Sequence, residues 1–154
     1  MSVDFNNISQ EIRKQHYPLI GKGSGRYVYD LGNGYVAKRA RNRRGIAQNQ
    51  AEYQIYKSCH SDLLARIHTV SDRYEYVIME KADKINSMKE VWDYYHVPNG
   101  QEFFRTAMFQ NVACKHKLLS GDLYRITSWG KINGKPVIID YGYTMETRRY
   151  YTFF

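Results

Sequence analysis

Cysteine and proline are scarce in this sequence, which has two cysteines and three prolines among 154 residues. Cys59 and Cys114 form no Cys-x-x-Cys pair, and the histidines have no metal-like spacing, which argues against a disulfide scaffold and a structural zinc site. No Pro-rich linker or internal repeat divides the chain. We therefore expect one domain from a reducing, cytoplasmic compartment.

Long apolar runs are also absent. No stretch reaches the roughly 18 apolar residues that span a membrane, and the first 15 residues lack the apolar core of a signal peptide. We expect no membrane partner. Acidic residues number only 15 against 23 lysines and arginines, a formal net charge of +8. This excess favours anionic partners such as nucleotides, nucleic acid or acidic protein surfaces.

The basic residues are densest between Lys38 and Arg44, where five fall within seven positions. Such a run is typical of a solvated loop and the start of a helix. It is equally compatible with a basic rim beside a cleft that binds anions. Residues 39–44 are therefore a candidate contact for nucleic acid or an acidic surface.

Periodicity and turn residues predict an α+β chain in two layers. The N-terminal half is predicted to contain a helix over 4–15, strands over 17–21, 27–31 and 35–39, a helix over 45–58, and strands over 66–70 and 74–79. The C-terminal half is predicted to contain helices over 87–95 and 101–119 and a hairpin over 129–139. Ala47, Ala51 and Ile55 are expected to form the apolar stripe of the 45–58 helix. Ser87 and Glu90 have the spacing of a capping box.

A glycine-rich turn, Gly21-Lys22-Gly23-Ser24-Gly25, separates the first two predicted strands. Glycines allow backbone N–H groups to approach phosphate oxygens closely. Most glycine-rich turns are only turns, and a dinucleotide fingerprint is disfavoured because a strand follows. Lys38 comes 15 residues after Gly23 in a Val-Ala-Lys strand, where it could bind phosphate or lie exposed.

Glu52 follows Lys38 by 14 residues and falls within a predicted helix, from which its carboxylate could reach Lys38. An ordinary exposed helix glutamate is the alternative. Asp122 and Asp140 are 18 residues apart, in Gly-Asp-Leu and Asp-Tyr-Gly sequences. Because Asp140 ends the apolar strand 137–139 and precedes Gly142 closely, it is a candidate metal ligand.

The glycine-rich loop, strand lysine, helix glutamate, Asp-Leu loop and Asp-Tyr-Gly segment occur in an order that resembles the protein-kinase signature set. The Gly-Asp-Leu and Asp-Tyr-Gly forms are most similar to small bacterial and phage kinase-like proteins. The resemblance covers roughly residues 17–144. It implies a protein-kinase-like fold, with a five-stranded antiparallel N-lobe carrying one helix over 1–82 and a reduced, mainly helical C-lobe over 83–154.

The resemblance also implies ATP and Mg²⁺ as cofactors and assigns roles to individual residues. Lys38 would contact the α- and β-phosphates with Glu52 as its partner, Asp122 would deprotonate the attacking hydroxyl, and Asp140 would hold Mg²⁺. The nucleotide-binding positions are Gly21, Gly23, Ser24 and Gly25 over the phosphates, and the backbone from Glu80 to Ala82 beside adenine.

Two features depart from the family pattern. Thr127 stands where a second metal ligand, Asn, is expected, and Ser128 follows it. Their hydroxyls are the remaining candidate metal ligands, although hydroxyls ligate Mg²⁺ more weakly than amide carbonyls. The sequence also ends 12 residues after Gly142, so we expect a shortened peptide-binding region and an aromatic tail, Phe153-Phe154, that packs on the domain or on a partner.

Three functions are compatible with these residues. The first is a minimal kinase that transfers phosphate to a Ser, Thr or Tyr hydroxyl of a protein, including itself. The second is a pseudokinase that binds and regulates a macromolecular partner without catalysis. The third is a basic nucleic-acid-binding module, which would use Arg39 to Arg44 and the 15 tyrosines.

Overall fold

The computed structural model describes residues 2–116, 118, 120–145 and 147–148. Its helices are α1 Phe5–Arg13, α2 Arg43–Cys59, α3 Met88–Tyr94, α4 Gly100–Phe104 and α5 Ala107–His116. Its strands are β1 Leu19–Lys22, β2 Arg26–Asp30, β3 Tyr35–Ala40, β4 Ile67–Val70, β5 Tyr76–Glu80, β6 Trp129–Ile132 and β7 Lys135–Ile138. Two 3₁₀ turns cover Ser120–Tyr124 and Ile126–Ser128.

The first five strands form one antiparallel sheet in the order β1-β2-β3-β5-β4. The turn between β2 and β3 places Gly32 and Gly34 at φ values of +74° and +88°, which glycine adopts without steric cost. Together with α2 and the helical region that follows, this sheet confirms the predicted α+β class and the five-stranded antiparallel sheet with one helix. Phe153 and Phe154 lie outside the described residues.

The two faces of the sheet have different coverings because side chains alternate along each strand. Ala37 and Ile78 point to the outer face, where Ile8 and Ile12 of α1 cover them. Helix α1 is capped by Asp4, whose side chain accepts a hydrogen bond from the Asn7 N–H at 3.1 Å. The inner face carries Lys38. It is covered by α2 and the C-terminal region, because α1 packs on the outer face.

The buried face of α2 is unexpectedly polar. Of the apolar stripe predicted at Ala47, Ala51 and Ile55, Ile55 is buried, whereas both alanines are only partly buried. The buried positions are Gly45, Gln48, Asn49, Glu52 and Ile55. Desolvating such groups is costly unless each has a partner, so this face of α2 indicates a site built against the inner face of the sheet.

The C-terminal region packs around an aromatic cluster. Phe103, Phe104, Trp92 and Trp129 lie with neighbouring ring centroids 5.4–6.4 Å apart, in tilted and edge-to-face arrangements. β6 and β7 form the predicted hairpin, with Asn133 at φ +52° and Gly134 at φ +78°. The Leu63 carbonyl accepts from the Ile138 N–H at 2.8 Å, which ties β7 to the loop between α2 and β4.

The single helix predicted over 101–119 is wrong, because the chain forms α4 and α5 with a break at Arg105 and Thr106. The Thr106 hydroxyl donates to the Phe103 carbonyl at 2.7 Å and accepts from the Phe109 N–H at 3.3 Å. These bonds end one helix and cap the next. Leu119, the last residue of the predicted helix, lies outside the described residues.

Candidate active site

Lys38 and Glu52 form a buried ion pair between β3 and α2. The Lys38 ammonium donates to both carboxylate oxygens of Glu52, at 3.0 and 3.1 Å. Lys38 is 5% exposed and Glu52 is fully buried, so the alternatives of an exposed strand lysine and an ordinary helix glutamate are wrong. The position of Lys38 opposite Val28 places the pair beneath the glycine-rich loop.

Arg26 is a second cation on the same carboxylate. Its guanidinium donates to the two oxygens of Glu52 at 2.5 and 3.2 Å and to the Asn49 side-chain carbonyl at 3.1 Å. A fourth bond, at 2.9 Å, reaches one oxygen of Asp140. Arg26 is 6% exposed. The predicted site residues Glu52 and Asp140 are thus brought together by an arginine at the first position of β2.

The charges of this cluster shift the pKa of its members. Burial would raise the pKa of Glu52, but the charges of Arg26 and Lys38, with hydrogen bonds from Arg26 and the Tyr141 N–H, lower it to about 2. Burial lowers the pKa of Lys38, and the adjacent Glu52 opposes that shift. The ionised forms therefore stabilise each other in the interior.

The segment from Ile139 to Tyr141 is held by three side chains, one each from β2, β3 and α2. Lys38 donates to the Ile139 carbonyl, Arg26 donates to Asp140, and Glu52 accepts from the Tyr141 N–H at 2.9 Å. The Tyr141 hydroxyl donates to the Ala65 carbonyl at 2.9 Å. These contacts place Asp140, whose side chain is 39% exposed, at the edge of the buried cluster.

The glycine-rich loop is a tight turn packed on the start of α2. The Gly23 N–H donates to the Arg26 carbonyl at 2.9 Å. Arg41 and Asn42 donate hydrogen bonds to the loop carbonyls. The Arg41 guanidinium donates to the Gly23 carbonyl at 2.6 Å, and the Arg41 backbone N–H donates to the Gly25 carbonyl at 2.8 Å. The Asn42 side-chain amide donates to the Ser24 carbonyl at 3.0 Å.

Two glycines permit this close approach. A Cβ on Gly45 would lie 2.0 Å from the Gly25 carbonyl oxygen, and a Cβ on Gly25 would lie 3.1 Å from the Gly45 nitrogen. The Arg41 guanidinium also lies over the Tyr27 ring, 4.5 Å from its centroid. Part of the basic segment 39–44 therefore supports the glycine-rich loop.

The segment from Glu80 to Asp83 connects the five-stranded sheet to the helices and the hairpin that follow it. The Lys81 N–H donates to the Gly34 carbonyl at 2.9 Å, and Asp83 exchanges two backbone bonds of 2.8 Å with Lys131 of β6. A Cβ on Gly130 would lie 2.6 Å from the Cβ of Ala82. The predicted adenine-facing backbone, Glu80 to Ala82, therefore lies between the β2–β3 turn and β6.

Asp122 lies in the first 3₁₀ turn and is electrostatically coupled to Asp140. Burial raises the pKa of Asp122, and the charge of Asp140 raises it further, while Arg125 at 3.7 Å and Arg26 oppose the shift. Thr127 is exposed. Ser128 is buried, and its hydroxyl donates to the Asp122 carbonyl at 2.8 Å. Asp122 thus has the raised basicity that suits proton abstraction.

The donor chemistry of this site fits a single Mg²⁺. Magnesium is commonly held by one or two carboxylates together with phosphate oxygens, and Asp140 supplies one carboxylate, whose side chain is partly exposed. No group of three or more His, Cys, Asp or Glu side chains that could hold a metal occurs among the residues that the structure describes. In that same part of the chain, no helix is both long enough and apolar enough to cross a membrane.

Sequence reasoning missed Arg26 and Asn49. Arg26 follows the glycine-rich loop directly and reads as a strand arginine with no evident role. The signal for Asn49 was present, since Gly45, Asn49 and Glu52 share a helix face at spacings of four and three. The strand register would have found Arg26, because Arg26 and Val28 lie on the same face of β2 and Val28 is opposite Lys38.

No family model matches the chain, and no curated protein matches it either. Solved structures do match. One of them is entitled the structure of the streptomycin-ATP-APH(2″)-IIa ternary complex, with 14% sequence identity and a TM-score of 0.49, covering 92% of this chain and 72% of that chain. At this level of similarity no conclusion about this chain follows from the match.

Proposed function

We propose that this protein binds ATP with Mg²⁺ between its two lobes and transfers phosphate to a hydroxyl group of a protein substrate, including its own chain. The observation that carries the proposal is the buried Lys38–Glu52 pair, with Asp140 held against it and Asp122 coupled to Asp140. A lysine fixed by a glutamate, a metal-binding acid and a catalytic base are the parts that kinase-type transfer requires.

Each residue then has a defined task. Asp140 would hold the metal ion, which would neutralise phosphate charge, while ATP would supply the phosphoryl group and leave as ADP. Glu52 holds the Lys38 ammonium at a fixed position in the cleft. Asp122, whose pKa is raised by burial and by Asp140, accepts the proton of the substrate hydroxyl.

The donors of Lys38 are used internally in the structure, by Glu52 and the Ile139 carbonyl. Phosphate binding therefore requires the ammonium to exchange the Ile139 carbonyl for a phosphate oxygen. The tight loop Gly23–Gly25 must also open enough to admit phosphates, although Arg41 and Asn42 hold its carbonyls. Both movements are local and leave the Lys38–Glu52 pair in place.

These same contacts favour a second function, a pseudokinase that binds a macromolecular partner. Lys38 and Arg26 both donate to internal acceptors, and the glycine-rich loop packs on α2. A partner with an acidic surface, or nucleic acid, would bind through the basic segment 39–44. Its affinity would then fall steeply as salt is added.

Calorimetry with ATP separates the two functions. We expect ATP to bind wild-type protein in the presence of Mg²⁺, with the Mg²⁺-dependent part of the affinity lost in Asp140→Ala. Asp72→Asn, which changes an exposed acid in a turn, is the matched control and should bind as the wild type does. Labelled ATP should then transfer phosphate to the protein or to a protein extract, and Asp122→Ala should abolish that transfer.

ATP binding without transfer in wild type and Asp122→Ala alike would favour the pseudokinase. Absence of ATP binding with and without Mg²⁺ would overturn the proposed function. Unchanged binding of ATP–Mg²⁺ by Asp140→Ala would overturn the assignment of the metal to Asp140.

A further inference from the structure

Arg26 places a permanent positive charge against Asp140, the acid to which the proposed function assigns the metal ion. One terminal nitrogen of its guanidinium lies 2.9 Å from one oxygen of Asp140. Arginine stays protonated at all physiological pH values. Any divalent cation at Asp140 therefore shares the carboxylate with a cation that belongs to the protein.

The guanidinium is fixed mainly from the N-lobe. Two of its bonds go to Glu52 and one to Asn49, both on α2, against a single bond to Asp140. All three α2 bonds are buried, where breaking a charged hydrogen bond is costly. Leaving α2 would break three hydrogen bonds of Arg26, whereas leaving Asp140 would break one. We therefore expect Arg26 to keep its position when a metal ion binds.

Among the residues that the structure describes, few side chains at this site could ligate a second metal ion. Thr127, at the position where a second ligand is expected, is an exposed hydroxyl, and the Ser128 hydroxyl already donates to the Asp122 carbonyl. The carboxylates of Asp140 and Asp122 remain. The proposed function uses Asp122 as the base, so Asp140 is the carboxylate left for a metal ion.

We propose that Arg26 takes the place of a second divalent cation at Asp140, so that the site binds a single metal ion with the nucleotide. This rests on the proposed function, which it deepens. Arg26 neutralises one oxygen of Asp140 and leaves the other for the metal. It acts as a positioning residue, since it orients the metal ligand from α2 and β2 and joins the two lobes at that point.

The test counts bound Mn²⁺ by electron paramagnetic resonance, with and without a non-hydrolysable ATP analogue. Wild-type protein should bind one Mn²⁺ in the presence of the analogue. The Mn²⁺ affinity of Arg26→Met should be at least about tenfold higher than that of the wild type. Removing a positive charge a few Å from the ligand oxygen also removes its repulsion of the divalent ion. Arg26→Lys keeps the charge and should stay close to the wild type.

Two Mn²⁺ ions in wild-type protein with the analogue would overturn the inference, while leaving the proposed function intact. So would a folded Arg26→Met with wild-type Mn²⁺ affinity, because a residue with only a structural role would not change metal binding in that way. Circular dichroism establishes whether the variants are folded. If Arg26→Met is not folded, the number of Mn²⁺ ions bound by the wild type and the Mn²⁺ affinity of Arg26→Lys test the inference. No analogue-dependent Mn²⁺ in any folded form would overturn the proposed function and this inference together.

Discussion

The ammonium nitrogen of Lys38 lies 3.0 and 3.1 Å from the two carboxylate oxygens of Glu52, and neither side chain has appreciable contact with solvent. Glu52 is also bound by Arg26. Both buried cations therefore have Glu52 as their partner. Loss of Glu52 affects two cations, whereas loss of one cation leaves Glu52 paired with the other. This asymmetry determines how the protein should respond to substitutions in the cluster.

Glu52→Gln should destabilise the protein more than Lys38→Met. The glutamine leaves two buried cations without their shared acid, and losing one partner of a buried ion pair costs about 3–5 kcal/mol. Lys38→Met keeps the Arg26–Glu52 pair and replaces the lysine with an apolar chain of similar length. Urea unfolding measures both free energies.

The matched control is Lys89→Met, which removes an exposed pair with Asp93 at 2.5 Å. Exposed pairs contribute at most about 1 kcal/mol, so this variant should unfold almost as the wild type does. A larger loss in Lys38→Met than in Glu52→Gln would contradict the central role of Glu52.

Acid should destabilise the protein between pH 4.5 and about 2. Because the folded-state pKa of Glu52 is lowered from 4.5 to about 2, its ionised form favours the folded state. That contribution is fully present above pH 4.5 and is lost as the pH falls toward 2. Urea midpoints measured at pH 7, 5, 4 and 3 should therefore be similar at the first two values and then decline.

Glu90→Gln separates a second contribution of the same sign. A hydrogen bond from Lys131, with others from the Asn86 and Ser87 N–H groups, lowers the pKa of Glu90 to about 2. This variant should show a shallower decline than the wild type and keep the part that comes from Glu52. Equal urea midpoints at pH 7 and pH 3 in the wild type would refute the pH dependence.

Asp122→Asn should abolish phosphate transfer without loss of stability. Burial and the charge of Asp140 raise the pKa of Asp122, so its ionised form is unfavourable in the folded protein at neutral pH. The amide removes that charge at similar size, and the free energy of unfolding at pH 7 should stay equal or rise. The advantage over the wild type should shrink as the pH falls and Asp122 itself becomes protonated. Marked destabilisation at pH 7 would contradict this electrostatic account.

Gly45→Ala should destabilise the protein even though alanine is favoured over glycine in helices by about 1 kcal/mol. The new Cβ would lie 2.0 Å from the Gly25 carbonyl oxygen and 2.9 Å from the Ala40 Cα, so the glycine-rich loop must move. Overpacking of this kind costs roughly 1–3 kcal/mol. Thermal melting should show the loss, and ATP calorimetry should show weaker binding.

Gly121→Ala is the control for that substitution. Nothing lies within 4 Å of a Cβ at Gly121, and the residue is exposed. Its melting temperature should remain close to that of the wild type. Equal melting temperatures for Gly45→Ala and Gly121→Ala would contradict the prediction. They would show that the loop moves away from α2 at no cost and that the close contact with Gly25 does not contribute to stability.

Local chemistry determined much of the fold from the sequence. The β2–β3 turn and the Asn133-Gly134 turn were predictable because glycine and asparagine tolerate positive φ angles. The Asp4 cap and the Ser87–Glu90 capping box follow from side chains that reach nearby backbone donors. The break at Thr106 was not predictable in this way, since the residues on both sides have apolar spacing suited to one helix and a single hydroxyl ends it.

The candidate site divides along the same line. The order and spacing of Gly23, Lys38 and Glu52 are properties of the sequence, and they predicted the ion pair because a strand, a connection and a helix of those lengths can bring the side chains together. That Arg26 joins Glu52 to Asp140 was decided only by the tertiary structure. The residues are separated by 26 and 114 positions, and only the packing of α2 on the sheet and the return of the chain at Asp140 give the buried guanidinium its partners.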